Sequence, residues 1–429
     1  MASYSHQLQQ LFGMRRTTRR RDLSDMRRML QALQIASLPY PAVQIVGTNG
    51  KGSTAAFLAS MLQEAGYHVG LFTSPHLVHF NERFQINGTQ ATNETLSKLL
   101  EHTLDVAQRE QWEPVFFDVA TLMAVQWFAQ EQVDIAIMEA GMGGKLDATT
   151  SIPSALTILT TIGMDHAPLL GTTLSEIAQD KASAFRPGTP AVVGVTDPAL
   201  RAVIEKTAQD KQAHPLRFIG RDFPNLATQQ NIPAEEDHSQ QDWELGLHGS
   251  FQKHNASLAL AALEHLAPHG LTCSESNIQA GLSNARWSGR CQPLTVQNTT
   301  LWLDGAHNPQ AMEAIVQHFA GRPLCVVFGA MKDKDLDALL APLHAVEHKL
   351  ILCPIRQPRA ASTEELYAKL QKLDWNEEIV SQATTLQDAV QQALASQQEQ
   401  EGSETILVTG SLFLVGEVLE AYSALDSTK

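Results

Sequence analysis

A glycine-rich turn, VGTNGKGS at residues 46–53, carries the clearest chemical signal in this chain. Gly47, Gly50 and Gly52 allow the backbone amides to turn inward, and Lys51 supplies a positive point charge. An apolar run precedes the turn and a helical pattern follows it, so the positive end of a helix is expected at the loop. This arrangement is typical of sites that bind nucleotide phosphates.

The spacing of the turn differs from that of the standard P-loop. There, a glycine and four free positions precede Gly-Lys and then Ser or Thr. Here the upstream glycine would fall at Ile45, and the inserted Gly52 delays the hydroxyl to Ser53. The alternative is a strand-to-helix turn without a ligand. The predicted phosphate-binding residues are Thr48, Asn49, Gly50, Lys51, Gly52 and Ser53.

A carboxylate is expected close to this turn. Glu139 ends the apolar run VDIAIME at residues 133–139, which we interpret as a strand. The carboxyl ends of parallel strands meet at one edge of a sheet, so Glu139 is expected in the same crevice as the turn. A carboxylate there is suited to Mg²⁺, which prefers hard oxygen ligands and retains several waters.

Short β-branched runs alternate with helical patterns along most of the chain. This alternation predicts a mostly parallel sheet covered by helices on both faces. Predicted strands lie at residues 43–46, 68–72, 133–139, 155–162 and 190–195, and predicted helices at 54–65, 94–110, 174–184, 255–267 and 274–285. Residues 217–249 are polar and irregular, with the strand-like pieces RFIG and WELGLHG, and are expected to form an antiparallel edge or a lid.

A second α/β pattern begins near Leu301. Its predicted strands are LWLD, LCVVFG, KLILCP and TILVTG, and its predicted helices lie at 309–319, 336–344, 363–373 and 386–396. The stretch WSGRCQPL at residues 287–294 looks like a hinge. We therefore predict an α/β protein with a P-loop domain at 1–285, a linker at 286–296 and a smaller Rossmann-like domain at 297–429.

The composition excludes some classes of partner. The formal net charge is −15, which argues against general binding of nucleic acid or anionic membranes. The first thirty residues are rich in arginine, which is typical of a transit peptide or, in the favoured interpretation, of a solvated first helix near an anionic ligand. These arginines are Arg15, Arg16, Arg19, Arg20, Arg21, Arg27 and Arg28.

The remaining compositional signals favour a cytoplasmic protein. No apolar signal-peptide core follows Met1, and the apolar stretch at 406–416 is too short to span a bilayer. The four cysteines are widely spaced and form no CxxC pair, so neither a disulfide nor a zinc site is expected.

GTNGKGS resembles the loop of the Mur-ligase superfamily, whose members use ATP to build amide bonds to amino acids. Further stretches narrow the resemblance to folylpolyglutamate synthases and dihydrofolate synthases of the bifunctional bacterial type. They are TSPHLVHFNERFQING (73–88), MEAGMGGKLDATT (138–150), GMDHAPLLGTTLSEIAQDKASAFRPG (163–188), LDGAHNPQA (303–311) and GAMKDKD (329–335). The resemblance runs from about Asp22 to Val418. It implies a Mur-ligase central domain followed by a domain of the glutamate ligase type.

The resemblance also implies a metal site and a catalytic set. Ser74, Glu139, His166 and Lys181 would surround one or two Mg²⁺ ions, with Lys181 modified to a carbamate because an unmodified ammonium would repel the cation. Lys51, Glu139, His166 and Lys181 would be catalytic. The alternatives are a helix cap for Ser74 and a polar histidine satisfied by its surroundings for His166.

Nucleotide and substrate contacts follow from the same resemblance. The nucleotide would also contact Asn255, Arg290, Asp304 and His307, of which Asp304 and His307 could instead cap a helix that starts before Pro309. The dihydropteroate contacts would be Asp22, Leu23, Ser24, Val115, Phe116, Phe117, Asp118, Leu146, Asp147 and Ala148. Phe116 and Phe117 could stack on a flat heterocycle or belong to the core. Asp118 stands where the family usually has glutamate.

The implied activity is ATP-dependent ligation through an acyl phosphate. L-glutamate would be joined to 7,8-dihydropteroate and to reduced folates, with ATP and Mg²⁺ required and a monomer as the default state. An enzyme limited to the folylpolyglutamate reaction remains an alternative. A peptidoglycan Mur ligase is less favoured because only about 46 residues precede Gly47. The displaced hydroxyl of Ser53 argues against a kinase or motor ATPase, and the joint presence of Lys51, Glu139, His166 and Lys181 argues against a non-catalytic binder.

Overall fold

The structure is a computed structural model, and it describes residues 4–14, 22–228, 243–345, 349–373, 375–399 and 404–426. The chain divides into two compact units. The first comprises Met1–Gly246 and Gln252–Arg286, and the second comprises Leu247–Phe251 and Trp287–Lys429. Each unit is built around one sheet, of eight strands in the first and six in the second.

The sheet of the first unit is parallel except at one edge. Its strands are β1 (Ala42–Val46), β2 (Val69–Phe72), β3 (Phe84–Ile86), β4 (Thr89–Gln90), β5 (Ile135–Glu139), β6 (Leu156–Leu159), β7 (Ala191–Val193) and β8 (Leu216–Phe218). Their order in the sheet is β4-β3-β2-β5-β1-β6-β7-β8. Pairing from β2 to β8 is parallel, whereas β3 is antiparallel to β2 and to β4.

Helices connect and cover these strands. They are α1 (Tyr4–Gly13), α2 (Ser24–Ala32), α3 (Lys51–Glu64), α4 (Asn93–Arg109), α5 (Phe116–Gln130), α6 (Ala167–Leu170), α7 (Leu174–Ala182), α8 (Pro198–Lys211), α9 (Gln252–Glu264) and α10 (Glu275–Asn284). Side-chain caps define several of their starts. Thr92, Thr173 and Asp197 each accept a hydrogen bond from a backbone N–H in the first turn of α4, α7 and α8.

The helices lie where the strands present apolar side chains. Ala136 and Met138 of β5 belong to one buried cluster with side chains of α2, α4 and α5. Val193 of β7 and Phe218 of β8 belong to another buried cluster, formed with α7 and α8. α9 and α10 pack on α3. Burial of this apolar area is the main favourable term that holds the strand ends in register.

The second unit repeats the α/β pattern. Its strands are β9 (Gln292–Val296), β10 (Thr299–Leu303), β11 (Leu324–Phe328), β12 (Lys349–Leu352), β13 (Val380–Gln382) and β14 (Thr405–Thr409). Its helices are α11 (Pro309–His318), α12 (Leu336–Leu340), α13 (Thr363–Lys372), α14 (Leu386–Glu399) and α15 (Leu412–Asp426). The strand order is β13-β12-β11-β14-β10-β9, and only the β9–β10 pair is antiparallel. The predicted α/β class with mostly parallel sheets is therefore confirmed.

Two local expectations were wrong. β8 pairs in parallel with β7, so the described residues of 217–249 form no antiparallel edge, and the antiparallel strands lie instead at β3 and β4, the opposite edge. WELGLHG is not a strand, because residues 243–249 run as loop and bends with Trp243 and Leu247 buried. Residues 229–242 of that stretch and Arg15, Arg16, Arg19, Arg20 and Arg21 lie outside the described residues.

Two smaller expectations can be compared with the described part of the chain. Cys291, Cys325 and Cys353 are buried free thiols, and Cys273 is a half-buried one. None of the described helices combines the length and the apolar character needed to cross a bilayer.

Candidate functional site

The loop between β1 and α3 has the geometry of an anion cradle. β1 ends at Val46 and α3 begins at Lys51, so the first backbone amides of the helix face the loop. Gly50 adopts a φ of 84°, and a β-carbon there would collide with the side-chain oxygen of Asn255. Only glycine meets both conditions. Gly52 and Ser53 lie within the first turn of α3 and are buried, so Gly52 is part of the helix rather than of the turn.

Hydroxyl groups that follow β6 fix the shape of this loop. Thr160 Oγ1 donates to the carbonyl of Asn49 at 2.6 Å, and the Asn49 N–H donates to Thr161 Oγ1 at 3.0 Å. Thr48 Oγ1 donates to the carbonyl of Gly163 at 3.2 Å and accepts from its N–H at 3.0 Å. The loop conformation is therefore held by contacts within the protein itself.

Glu139 and Ser74 meet beside the loop. Glu139 is the buried last residue of β5, the neighbour of both β1 and β2. Its Oε2 accepts a hydrogen bond of 3.0 Å from the N–H of Ser74, which follows β2. The strands thus bring together two residues that are far apart in the sequence. Ser74 is not at a helix start, so the helix-cap alternative for it is wrong.

Two lysines converge on the same backbone carbonyl. Lys51 Nζ donates to the carbonyls of Gly47 and Thr48, each at 3.2 Å. Lys181 Nζ, from the last turn of α7, donates to the carbonyl of Gly47 at 2.9 Å. Burial, with the nearby charge of Lys51, lowers the pKa of Lys181 to about 7. A substantial neutral fraction of this amine is therefore present near pH 7.

His166 directly precedes α6. It has a φ of 53°, and its carbonyl accepts from the N–H groups of Leu169 and Leu170, the last two residues of α6. The imidazole is half exposed, with Nε2 3.8 Å from Asp165 Oδ2. Its side chain is thus far more exposed than those of the buried Glu139 and Lys181.

The oxygen-bearing groups at this site suit a hard cation such as Mg²⁺ that also retains ligands from outside the protein. Glu139 offers a carboxylate beside Ser74, and the amide-lined loop lies at the end of the adjacent strand. Among the described residues, no group of three or more His, Cys, Asp and Glu side chains is placed to hold a metal. A fully protein-ligated cage is therefore not formed there. One carboxylate with phosphate and water oxygens is the ligation that Mg²⁺ commonly takes.

Phe116 and Phe117, the aromatic residues predicted to contact the substrate, also pack against the core. Phe116 and Phe117 open α5 and pack, half-buried, against the core. The Phe117 ring lies 5.7 Å from that of Phe72, and the Phe116 ring lies 5.8 Å from that of Phe12 on α1. Both also keep an accessible part, so core packing and ligand stacking are compatible. Val115 and Asp118 of the same segment are buried.

Asp147 shapes its own loop. Its Oδ2 accepts from the N–H groups of Gly141 and Met142 at 2.9 and 3.0 Å, and its Oδ1 accepts from the N–H and hydroxyl of Thr149. Leu146 is half-buried and Ala148 is buried. A pteroate contact of these residues stays a prediction, but the carboxylate of Asp147 already has a structural task.

The N-terminal stretch of the predicted pteroate site is a helix start. Asp22 Oδ1 accepts from the Ser24 N–H at 2.8 Å, and hydrogen bonding to the Ser24 side chain, together with this backbone hydrogen bond, lowers the pKa of the exposed Asp22 carboxyl. Leu23 is buried, whereas Ser24 is exposed as the first residue of α2.

Asn255 is the one predicted nucleotide residue of α9. It is buried, its Nδ2 donates to Gln252 Oε1 at 2.8 Å, and its Oδ1 lies against Gly50. It therefore lies directly beside the phosphate-type loop.

The other predicted nucleotide residues form a cluster within the second unit. Asp304 follows β10 and accepts from the N–H groups of Cys291 and Ala306 at 2.8 and 2.9 Å. Burial raises its pKa, which the charges of Arg290 and His307 partly counter. His307 Nδ1 lies 2.7 Å from the carbonyl of Gly305. Asn308, not Asp304 or His307, caps α11, so the helix-cap alternative for those two is wrong. That they contact a nucleotide stays a prediction.

Sequence reasoning missed a buried arginine in the loop after β2. Arg83 Nε donates to His76 Nδ1 at 2.8 Å, and the guanidinium carbon lies 5.2 Å from the centre of the Phe116 ring. Burial lowers the pKa of Arg83 to about 10 and that of His76 to about 3, so Arg83 is charged and His76 neutral near pH 7. A charged residue in an irregular loop gives no periodic signal, which is why the sequence did not reveal it.

Comparisons with known proteins extend over both units. Residues 45–263 match the Mur ligase middle domain, and residues 289–412 match the Mur ligase glutamate ligase domain. The chain is 33% identical over 415 residues to the dihydrofolate synthase/folylpolyglutamate synthase of Bacillus subtilis strain 168, covering 92% of this chain and 94% of that protein.

Two solved structures are similar along nearly their whole length. E. coli FolC in complex with DHPP and ADP superposes with a TM-score of 0.86, 29% sequence identity and 99% coverage of each chain. The bifunctional folylpolyglutamate synthase/dihydrofolate synthase of Yersinia pestis CO92 complexed with AMPPNP and Mn gives a TM-score of 0.85, 29% identity and 98% coverage of each chain. The similarity therefore includes both α/β units.

Proposed function

The chain belongs to the family of dihydrofolate synthases and folylpolyglutamate synthases, within the Mur-ligase superfamily, and we propose that it joins L-glutamate to 7,8-dihydropteroate and to reduced folates. ATP is the second substrate and ADP and phosphate are the other products. The main support for this proposal is one structural observation. The loop after β1, Glu139 at the end of β5 and Lys181 of α7 meet at one sheet edge, where Lys181 donates to the carbonyl of Gly47.

Amide formation from a carboxylate requires a better leaving group than oxide. A carboxylate is a poor electrophile because it is charged and would have to expel oxide. Its oxygen therefore attacks the γ-phosphorus of ATP; the new O–P bond forms as the bond to ADP breaks. The amine of L-glutamate then adds to the acyl carbon and loses a proton. Phosphate leaves from the tetrahedral intermediate, and the amide remains.

Each group of the first unit has a role in that sequence. The amides at the start of α3 bind the triphosphate, and the ammonium of Lys51 offsets charge on the transferring phosphoryl group. Glu139 and Ser74 would hold Mg²⁺, together with His166 and a carbamate on Lys181. When bound, the ion would supply positive charge that offsets the negative charge developing on the transferring phosphoryl group.

The carbamate on Lys181 is supported by the environment of the amine. Only a neutral amine attacks CO₂; the N–C bond forms, the N–H proton goes to solvent and a carboxylate remains. A lysine with its pKa near 7 supplies that neutral form at physiological pH. The product is an anion, which the neighbouring charge of Lys51 favours.

The folate side rests on the half-buried rings of Phe116 and Phe117. They open α5 near the end of β5 and β2, and they offer flat apolar faces for a pterin or benzoyl group. An enzyme confined to the folylpolyglutamate reaction is the second candidate, because the buried Asp118 is shorter than the glutamate usual in the family. Cytoplasmic location and a monomeric state stay predictions.

The test is to offer each acceptor separately. The protein is incubated with ATP, Mg²⁺, labelled glutamate and either dihydropteroate or tetrahydrofolate, and the products are weighed by mass spectrometry. The proposal predicts a gain of one glutamate on both acceptors, with ADP released in proportion. A gain on tetrahydrofolate alone selects the second candidate. ATP hydrolysis without any glutamate gain on either acceptor would refute both.

A further inference from the structure

Arg83 is an unusual residue for the interior of a protein. It is the last residue of a short 3₁₀ turn, Phe80–Arg83, and only 6% of it is exposed. A buried guanidinium is costly unless its charge and its donors are matched. Its environment therefore indicates what it is for.

The described part of the protein provides a hydrogen-bond acceptor for only one of the Arg83 side-chain nitrogens. Nε donates to His76 Nδ1 at 2.8 Å. Among the described residues, no other hydrogen bond of the Arg83 side chain is found. Up to four N–H donors, held in a planar fork, are therefore left for a ligand.

The neighbouring carboxylates are already engaged. Glu82 accepts from the N–H groups of Leu77, Val78 and His79 at 2.6, 2.9 and 2.7 Å, which locks the turn that carries Arg83. Glu139 accepts from Ser74. Both lie near enough to interact with the charge of Arg83, but the larger effect on its pKa is burial. A carboxylate that binds the fork would supply acceptors for its N–H groups and a further counter-charge.

The fork is also fixed in direction. The guanidinium carbon lies 5.2 Å from the centre of the Phe116 ring and 6.0 Å from that of Phe80, and the His76 hydrogen bond fixes the inner edge of the group. A guanidinium stacked and tethered in this way loses little entropy when it binds a planar anion.

The position of Arg83 matches one substrate group. Phe116, offered here as a wall for the acceptor, lies beside the guanidinium, and Glu139, the carboxylate expected to hold magnesium, is near enough to interact with its charge. The acceptor must place its reacting carboxylate between its aromatic ring and the triphosphate. We infer that Arg83 binds this carboxylate and holds it for attack on the γ-phosphorus, an inference that rests on the proposed function.

The chemistry of such a clamp is simple. One carboxylate oxygen accepts from the guanidinium while the other forms the new bond to phosphorus and the bond to ADP breaks. The positive charge offsets the repulsion between two anions, and the fork orients the attacking oxygen. His76 acts as a positioning residue, since its Nδ1 accepts from Arg83 Nε.

Two ligands that differ only in the carboxyl group measure what this group contributes to binding of the acceptor. Binding of dihydropteroate is compared by calorimetry with binding of the same molecule with hydrogen in place of the carboxyl group. The native protein should prefer dihydropteroate by about 10- to 100-fold, as expected for hydrogen bonds to a charged group. Arg83→Gln should remove that preference, while Arg83→Lys should keep part of it because the charge remains without the fork.

Arg201 provides a matched control. It is a partly buried arginine of α8 whose guanidinium carbon lies 5.4 Å from the Phe218 ring centre and whose Nε donates to the Val195 carbonyl at 2.7 Å. Arg201→Gln should reduce stability yet leave the ligand preference unchanged. This variant separates loss of a buried arginine from loss of the clamp.

The outcomes are distinguishable. The inference is overturned if Arg83→Gln retains the preference, or weakens binding of both ligands by the same factor. If that variant does not fold, Arg83→Lys decides: an unchanged preference overturns the inference and a reduced one supports it. If the native protein gives no glutamate-dependent product with any acceptor, the proposed function itself is refuted. If it joins glutamate to an acceptor but its preference for dihydropteroate does not depend on Arg83, only the role of Arg83 is refuted.

Discussion

The ammonium nitrogen of Lys181 lies 2.9 Å from the carbonyl oxygen of Gly47, and this contact joins the last turn of α7 to the loop after β1. Lys51 reaches the same carbonyl from the start of α3. Two cations at one carbonyl repel each other, and burial adds to the cost of charging the second. Conversion of Lys181 to a carbamate would replace the repulsion between the two cations by an attraction between the anion and Lys51.

The first prediction is that activity depends on CO₂. Protein kept in CO₂-free buffer should lose activity and regain it on addition of bicarbonate, with the mass of one CO₂ added at Lys181. The pKa of Lys181 is about 7, so the neutral amine fraction rises with pH through that value. At equal dissolved CO₂, recovery one pH unit below it should be about tenfold slower than one unit above it.

Lys181→Gln should be inactive with or without bicarbonate, because an amide side chain cannot add CO₂. The exposed Lys206 on α8 serves as the control, and Lys206→Gln should keep both the activity and its response to bicarbonate. Activity that ignores CO₂, together with an unmodified Lys181 in the mass spectrum, would contradict the carbamate.

The second prediction concerns the charge of Glu139. Glu139→Gln keeps an oxygen that can accept from the Ser74 N–H but removes the negative charge. We expect kcat to fall about 100-fold or more and the Mg²⁺ concentration for half-maximal activity to rise, because the variant loses a hard anionic ligand. Steady-state kinetics over a range of Mg²⁺ concentrations measures both.

Asp134 offers a close match for comparison. Its Oδ2 accepts from the His68 N–H at 2.7 Å, a contact between the segments that enter β5 and β2. Asp134→Asn should leave the Mg²⁺ dependence unchanged. A Glu139→Gln enzyme with native Mg²⁺ dependence would show that this carboxylate does not hold the ion.

The third prediction separates backbone strain from steric fit in the loop. Gly50→Ala places a β-carbon against Asn255 at a φ of 84°, so the loop must move and ATP affinity should fall at least tenfold. Gly88 has a similar φ of 75° but open space around its α-carbon. Gly88→Ala should cost only about 1 kcal/mol of stability and leave ATP binding intact.

ATP binding is measured by calorimetry and the free energy of unfolding by urea titration. Equal losses of ATP affinity in the two variants would show that the effect is global. Native ATP affinity in a folded Gly50→Ala protein would mean that the loop does not carry the triphosphate.

The fourth prediction tests the structural task of Asp147. Asp147→Asn replaces one carboxylate oxygen by an amide N–H₂ that would face the donors of its own loop. The loss of charge-assisted hydrogen bonds should reduce the free energy of unfolding by about 2 kcal/mol. Asp197, the exposed N-cap of α8, is the comparison, since asparagine caps as well as aspartate and Asp197→Asn should cost well under 1 kcal/mol. Comparable urea midpoints for the two variants would contradict this role.

Much of the fold could be predicted because buried strands and helices leave recognisable patterns of apolar residues in the sequence. The strands β1, β5 and β6 are buried along their whole length, so their sequences are mostly apolar, with one polar residue in each: Gln44, Glu139 and Thr157. The neighbourhood of Glu139 and the glycine-rich loop then follows from the rule that parallel strands end at one edge.

The edge strands and the loop after β2 could not be predicted in the same way. β3 has three residues and β4 has two, too few for a visible alternation. The contact of Arg83 with His76 depends on a turn that Glu82 folds by capping three backbone amides. Such a turn is specified by individual hydrogen bonds and not by periodicity, so its chemistry appears only in three dimensions.

The hydroxyls of Thr48, Thr160 and Thr161 hold the cradle in shape through hydrogen bonds to its backbone. An incoming triphosphate therefore meets a rigid receptor and need not reorganise it, so capture of ATP should be fast and turnover should be limited by a later event. Inhibitors directed at this pocket would gain little from induced fit.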